Sequence, residues 1–282
     1  MRRVEKLCEN KTAVLGFFII VIMTVMCLLA PVLTKSDPSY IDMSLRYEEA
    51  SSEHIFGCDQ CGRDVFARLL FGGRVSIFIG VASALLSAVL GVMLGCTAAY
   101  FGKWVDTLLL YIQEILSCFP SNILLLVLIG YSKQMGIGGN GIAFMIFVFV
   151  LTGWCSSFGY IRGRIYQLRQ EPFVESCKAN GIGSFSIMFR HMLPNCISIA
   201  IFDVVTNIAG YILAEASLSF LGWGVDKGVP TWGNMINAAN NDVVFKNHPS
   251  LWILPGLAIF LFVLGVNFFG NGLRDACDMT EG

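Results

Sequence analysis

Six apolar runs, roughly 13–33, 75–101, 106–131, 142–158, 195–214 and 252–270, constrain this chain more than any other feature. A helix needs about 20 predominantly apolar residues to cross the hydrocarbon core of a bilayer, and its backbone polar groups must be satisfied within the segment. The runs therefore predict an all-α membrane protein with six transmembrane helices. Only 14% of the 282 residues are charged, against about a quarter in ordinary soluble domains, which excludes a soluble domain. The net charge of -1 offers no electrostatic footprint for nucleic acid. Most of the ten cysteines, among them Cys27, Cys96, Cys118, Cys155 and Cys196, lie singly in apolar runs. There they act as small hydrophobes and not as a disulfide framework.

These runs divide the chain into a tail (1–12), a first helix (13–33), an outer or interfacial segment (34–74), a core of five helices (75–270) with an inner loop at 159–194, and a second tail (271–282). The first run is too long for the apolar core of a signal peptide and reads as an uncleaved span. Pro120 is expected to kink the third span. The fourth is short, and its Trp154 suits a place near the interface. With both termini inside, the inner segments carry eleven Lys and Arg against eight in the longer outer segments, so the positive-inside rule favours that orientation. Arg63, Arg68 and Arg74 pull the other way. "RDVFARLLFGGR" also fits an amphipathic helix lying in the interface, with Arg63, Asp64 and Arg68 toward water. "GIGGNG" at 136–141 reads as an outer turn.

The inner loop is long and strongly punctuated. Pro172 suits the first turn of a helix and Gly181 the residue just past its end, which predicts a two-turn helix over 173–180. Ser184 is the expected N-cap of a following segment that runs to Pro194, where the fifth span opens. Two turns are not stable alone in water. Phe173, Val174 and Cys177 give the helix an apolar side, and Glu175 and Lys178 a polar one. Such a helix either docks into a groove of a partner or packs on its own protein.

The segment "ESCKANGIGSFSIMFRHMLPN" resembles the EAA motif of ABC-importer permeases. Glu175-Ser176-Cys177, three residues, Gly181, nine residues, and then His191-Met192-Leu193-Pro194 reproduce its spacing. Ser176 and Cys177 replace two alanines, and His191 replaces an isoleucine. Three further segments are similar to the dipeptide, oligopeptide and nickel branch in the family order: "HIFGCDQCGRDVFARLLFGGRVSI", "ILAEASLSFLGWGVDKGVPTWGNMI" and "WILPGLAIFLFVLGVNFFGNGLRDACD". By this resemblance the chain is identified as a C-type permease subunit of a peptide/nickel ABC importer.

The resemblance implies a type I, MetI-like permease fold in a multi-pass protein of the inner or plasma membrane. It implies a second, unlike permease subunit, two ATPase subunits that carry ATP-Mg, and an extracellular substrate-binding protein. The cargo would be peptides, nickel or metal chelates. Helix 172–181 would be the coupling helix, with Phe173, Val174, Glu175, Ser176, Cys177, Ala179 and Gly181 engaging an ATPase. The absence of a G-x-x-x-x-G-K-[ST] phosphate loop agrees with a chain that binds no cofactor and catalyses nothing itself. Gly181 is expected in a left-handed conformation. Glu175 either pairs with a basic group of the ATPase or favours its own helix N-terminus.

Glu114, Asp203 and Glu215 lie within or near spans, where a charge is costly and usually faces protein or water. They are candidates for the translocation path. Asp203 and Glu215 fit structural hydrogen bonds better. Asp106 and Glu114 lie about two turns apart on one helix face. Among the relatives implied by the resemblance, the position of Tyr111 is often Arg, so the ion pair expected there lacks its cation. The C-x-x-C pair Cys58 and Cys61, with His54, offers at most three ligands where a structural zinc site wants four. No βαβ pattern supports a thioredoxin-like motif. A disulfide at this spacing would be strained. The alternative of a membrane-embedded metal or redox protein using His54, Cys58 and Cys61 thus rests on a weak signal, and a secondary transporter would want an internal repeat that is not evident.

Overall fold

A computed structural model of the chain describes residues 7, 9–134, 136 and 141–278. Residues 1–6 and 279–282 of the two tails, and 137–140 of the "GIGGNG" turn, lie outside the described residues. The described chain is helical, with a single isolated bridge between Cys58 and Asp64. The long helices are α1 (Lys11–Leu28), α2 (Val65–Phe101), α3 (Lys103–Ser117), α4 (Ser121–Gln134), α5 (Ile142–Leu168), α6 (Pro172–Ala179), α7 (Ile197–Phe220) and α8 (Ser250–Asp278). Five stretches are long and apolar enough to cross a membrane: α1, α2, α5, α8 and the run Ser184–Phe220 that includes α7. The bent pair α3–α4, taken as one broken crossing, makes the sixth.

Four expectations need correction. The second span begins at Val65, ten residues earlier than the apolar pattern suggests, so "RDVFARLLFGGR" is no interfacial helix. Asp64 is the N-cap of α2 and accepts from Ala67 N at 2.6 Å. Arg68 is 3% exposed. It donates to the carbonyl of Pro38 at 3.0 Å and lies 3.8 Å from Asp59, so its charge is met by folded chain rather than by water. The fourth span is not short: α5 runs 27 residues, its last turns emerging as the polar "RGRIYQ". Trp154 is buried against the protein, edge-on to Phe158 at 5.3 Å. Ser184 makes no capping hydrogen bond; Gly183 precedes the helix, followed by a wide π turn over Ile187–Met192 and a tight 3-10 turn through Pro194. A proline cannot donate to the helical ladder, and these turns absorb the defect. Pro120 does more than kink its helix: α3 and α4 meet at 86°.

The most extensive packing is between α2 and α5. A stripe of small residues on α2, including Ser83, Ala84, Ser87, Ala88, Gly91, Gly95 and Ala98, is buried. Without a hydrophobic drive in lipid, helices associate through close packing, which small residues permit. A Cβ on Gly91 would lie 2.5 Å from Ser157 Cβ and 2.6 Å from Trp154 O. The same device joins α1 to α8, where a Cβ on Gly16 would lie 2.5 Å from Gly265 O. α7 packs across α2 and α8 and closes the bundle.

Gly91→Ala should therefore destabilise the isolated chain by about 1–3 kcal/mol, the usual cost of overpacking. Gly256→Ala, where a Cβ meets nothing within 4 Å, should be neutral or stabilising because Ala favours helix over Gly. Thermal unfolding of both variants in lipid nanodiscs checks the contrast.

Candidate functional site: the inner loop and a polar groove

The inner loop leaves α5 at Arg169, whose Nη1 donates to Ala99 O at 3.2 Å and ties the loop to the end of α2. α6 then starts with Pro172 at its first position and Glu171 in extended conformation before it. Glu175 in the first turn and Lys178 in the last both complement the helix dipole. The helix ends in a Schellman arrangement: Ile182 N donates to Cys177 O at 3.1 Å and Gly181 N to Lys178 O at 3.0 Å. Gly181 has φ of 73°, the left-handed conformation such a cap demands and a side chain disfavours. Asn180 Nδ2 adds a bond to Ser176 O at 2.8 Å.

Two turns are held in place by one buried anchor. Val174 is fully buried in a cluster with Tyr100, Ile165, Met188 and Met192, with Cys177 and Ile182 packed at its edge. Val174 therefore faces its own protein and is unavailable to a partner, unlike the outward place expected for it. Phe173, Glu175, Ser176, Ala179 and Gly181 are exposed, and Cys177 is half-buried. Glu175 makes no side-chain hydrogen bond or ion pair among the described residues. Beside α6, Phe185 and Phe189 stack in parallel planes with centroids 6.3 Å apart, and Phe185 is 67% exposed.

The candidate path residues separate. Asp203 on α7 is buried and accepts from Ser157 Oγ on α5. Glu215 on α7 is completely buried, accepting from Ser76 Oγ at 3.1 Å and Ser219 Oγ at 2.8 Å, while Ser76 Oγ also accepts from Trp232 N at 3.1 Å. Both carboxylates join helices. Glu114 is exposed on α3 and pairs with no cation among the described residues. Its helix neighbour Asp106 has a partner on another element: Arg162 of α5 donates to it through Nε at 2.5 Å and Nη2 at 2.7 Å.

A groove of about 360 Å³ lies between α4, α5 and α7, lined by Ser121, Asn122, Leu125, Phe149, Thr152, Gly153, Cys155, Ser156, Asn207, Gly210, Tyr211 and Ala214. Asn207 Nδ2 donates to Ser156 Oγ at 3.3 Å, and Tyr211 OH to Ser87 Oγ at 2.8 Å. Sequence reading missed this set because it followed formal charges. The available signal was neutral: amides and hydroxyls recurring within otherwise apolar helices.

Cys58 and Cys61 are free thiols. Asp59 Oδ1 accepts from Cys61 N at 2.8 Å and Arg63 N at 3.1 Å, and its Oδ2 pairs with Arg63, so the C-x-x-C is a turn wound around Asp59. Burial, with the carboxylates of Asp64 and Glu48 nearby, pushes the Cys58 thiol up to about 11. A thiol protonated at neutral pH is a poor nucleophile, which disfavours the redox reading.

Residues 87–279 match the family of the binding-protein-dependent transport system inner membrane component, and residues 2–49 match the N-terminal transmembrane domain of oligopeptide transport permease C. The chain belongs to this family of permeases. It is 37% identical over 277 residues to a protein of Brucella ovis described as a peptide permease, with 98% of this chain and 90% of that protein covered. It is 34% identical to the dipeptide transport system permease of Alkalihalophilus pseudofirmus, covering 97% and 88%. It is also 34% identical to the glutathione transport system permease of Pectobacterium atrosepticum, covering 93% and 85%. The chain is thus a multi-pass permease subunit of an ABC importer and not an enzyme.

If Val174 is the anchor of α6, Val174→Asp should release the helix, losing about 1.5–3 kcal/mol of side-chain burial. Limited proteolysis of the full chain in nanodiscs should then cut within 169–183 at least ten times faster. Glu175→Ala, at an exposed position, should leave the rate unchanged.

Proposed function

We propose that this permease carries short peptides across the membrane as one half of an ATP-driven pathway, and that α6 is the helix through which an ATPase drives it. The observation that carries this reading is the geometry of α6: Val174 seats it on the bundle while Phe173, Glu175, Ser176 and Ala179 face outward. A two-turn helix with one buried anchor and an exposed, unpaired carboxylate is built to be gripped from outside. The exposed rings of Phe185 and Phe189 enlarge that face. A second, unlike permease completes the pathway, two ATPase subunits bind ATP-Mg, and an extracellular binding protein delivers cargo. Both termini and α6 then lie on the cytoplasmic side, in keeping with the excess of Lys and Arg in the inner segments.

For the cargo, the groove supports peptides over bare nickel or a metal chelate. Its lining contains no imidazole, the ligand that suits nickel, and a lone thiol, Cys155, which cannot by itself complete a coordination shell. Its amides and hydroxyls match the donors and acceptors of a peptide backbone. Relatives described as peptide, dipeptide and glutathione permeases support the same class.

The test is the importer reconstituted in nanodiscs with its candidate ATPases, second permease and binding protein. Wild type should show ATPase activity stimulated by di- and tripeptides and not by nickel. Glu175→Arg should insert and unfold as wild type does, yet lose stimulation by about tenfold or more, equivalent to about 1.4 kcal/mol of contact. Gly181→Pro, which cannot adopt the positive φ of the cap, should abolish it. Full stimulation in both variants would remove α6 from the coupling role, and stimulation by nickel alone would overturn the peptide assignment.

A further inference from the structure

Cys58 has neighbours other than the one its spacing suggests. Its thiol sulfur, a ring nitrogen of His54 and a carboxylate oxygen of Glu48 all lie within 4.8 Å of one another. Cys61 is not among them. The three side chains come from separate turns of the outer segment, and the backbone fixes their approach. Cys58 N donates to Glu48 O at 2.9 Å, Gly57 N to His54 O at 2.9 Å, and Val65 N to Gly57 O at 3.1 Å.

Two further features distinguish this group from a chance cluster. His54 Nδ1 lies 2.7 Å from Asp64 Oδ2, and Asp64 is itself held by Ala67 N at the start of α2. With Nδ1 donating to Asp64, the lone pair sits on Nε2, which is then the nitrogen a metal would have to take, the arrangement that orients metal-ligating histidines. The local charge is also unbalanced. Asp59 is neutralised by Arg63 at 2.7 Å, whereas Glu48 has no cationic partner among the described residues. Two of the three, Glu48 and Cys58, line a cavity of about 440 Å³ together with Tyr47, whose ring stacks on His248 at 4.2 Å.

We propose that Glu48, His54 and Cys58 bind a divalent cation of the zinc class, with Asp64 as the residue that positions the imidazole and a fourth ligand position open to this cavity. A set of one sulfur, one nitrogen and one oxygen suits Zn²⁺ and its optical stand-in Co²⁺ better than Mg²⁺ or Ca²⁺. Ligand atoms of a tetrahedral site sit about 3.3–3.8 Å apart, so the turn need close by only about 1 Å. The Cys58 proton leaves to solvent as the sulfur bonds the metal. Zinc has no redox chemistry, so the bound ion ties residues 48–58 to the beginning of α2 and stiffens the outer face of the permease. This site is separate from the polar groove, and the ion is a resident of the loop and not cargo.

The full chain in nanodiscs, stripped with chelator under reducing conditions, should be titrated with Co²⁺ and then competed with Zn²⁺. One equivalent should produce the intense visible bands of a tetrahedral site and a near-ultraviolet thiolate-to-cobalt band, both erased by Zn²⁺. Cys58→Ser should abolish the thiolate band, Glu48→Gln should weaken binding by about tenfold or more, and Cys61→Ser should change nothing. A band that survives in Cys58→Ser, an equal loss in Cys61→Ser, or no saturable binding by wild type would overturn the site. Should Cys58→Ser fail to insert, the milder Glu48→Gln decides: unchanged affinity there leaves His54 as a simple ion partner of Asp64.

Discussion

The close approach of α2 and α5 is the constraint on which the rest of the structure depends. Gly91 and Gly95 let backbone meet backbone, with a Cβ at Gly95 falling 3.0 Å from Phe158 O. That contact sets the relative position of Ala99 and Tyr100, at the end of α2, and Ile161 and Ile165, in the last turns of α5. These residues form the cluster that receives Val174. The seat of α6 is therefore a product of helix packing within the membrane and not of the loop that carries it. Two turns of helix have too little propensity to hold themselves; they are stable here because a rigid pair of helices offers a pocket at a fixed place.

Charge is used in the same economical way. Three carboxylates of the bundle are matched by groups on another helix: Asp106 by Arg162, Asp203 by Ser157, and Glu215 by Ser76, with Ser219 of its own helix adding a second donor. In a low-dielectric interior an unmatched polar group is expensive, so these pairs dictate which helices are neighbours as well as how they are turned. The matched carboxylates then leave the groove to neutral residues. Its amides and hydroxyls, set beside Leu125, Phe149 and Ala214, offer neutral donors and acceptors and no charge.

Much of this was legible in the sequence, and the failures have physical causes. Span number, the break at Pro120 and the left-handed Gly181 follow from local chemistry: apolar length, a missing donor and a missing Cβ. The start of α2 was misread because Arg68 looks like a surface residue until the carbonyl of Pro38, thirty residues away, is seen to accept from it. Val174 was placed with Phe173 and Cys177 on one apolar side, but the helix buries only Val174 fully, and which residue becomes the anchor depends on Tyr100 and Met188 from other elements. The cysteine spacing drew attention to Cys61, while the third ligand-type group is Glu48, ten residues before Cys58. A contact made by chain reversal leaves no periodic trace in a sequence.

The bend between α3 and α4 completes the logic. No residue of α3 is buried; it is tied to the bundle by the two-pronged Arg162–Asp106 pair on α5 and by Leu109, Leu110 and Leu116, half-covered against Ala98, Trp154 and Phe158. α4 contributes Ser121, Asn122 and Leu125 to the groove, on the far side of the 86° break. α5 thus touches both the seat of α6 and the groove: Ile165 in the seat, Thr152 and Ser156 in the groove, and Arg162 between them. A closely packed pair such as α2 and α5 moves as one body, because dense interiors transmit displacement instead of absorbing it. A pull on α6 would then reach the groove through α5, whose Phe149, Thr152 and Ser156 face Ser121, Asn122 and Leu125 of α4 across it.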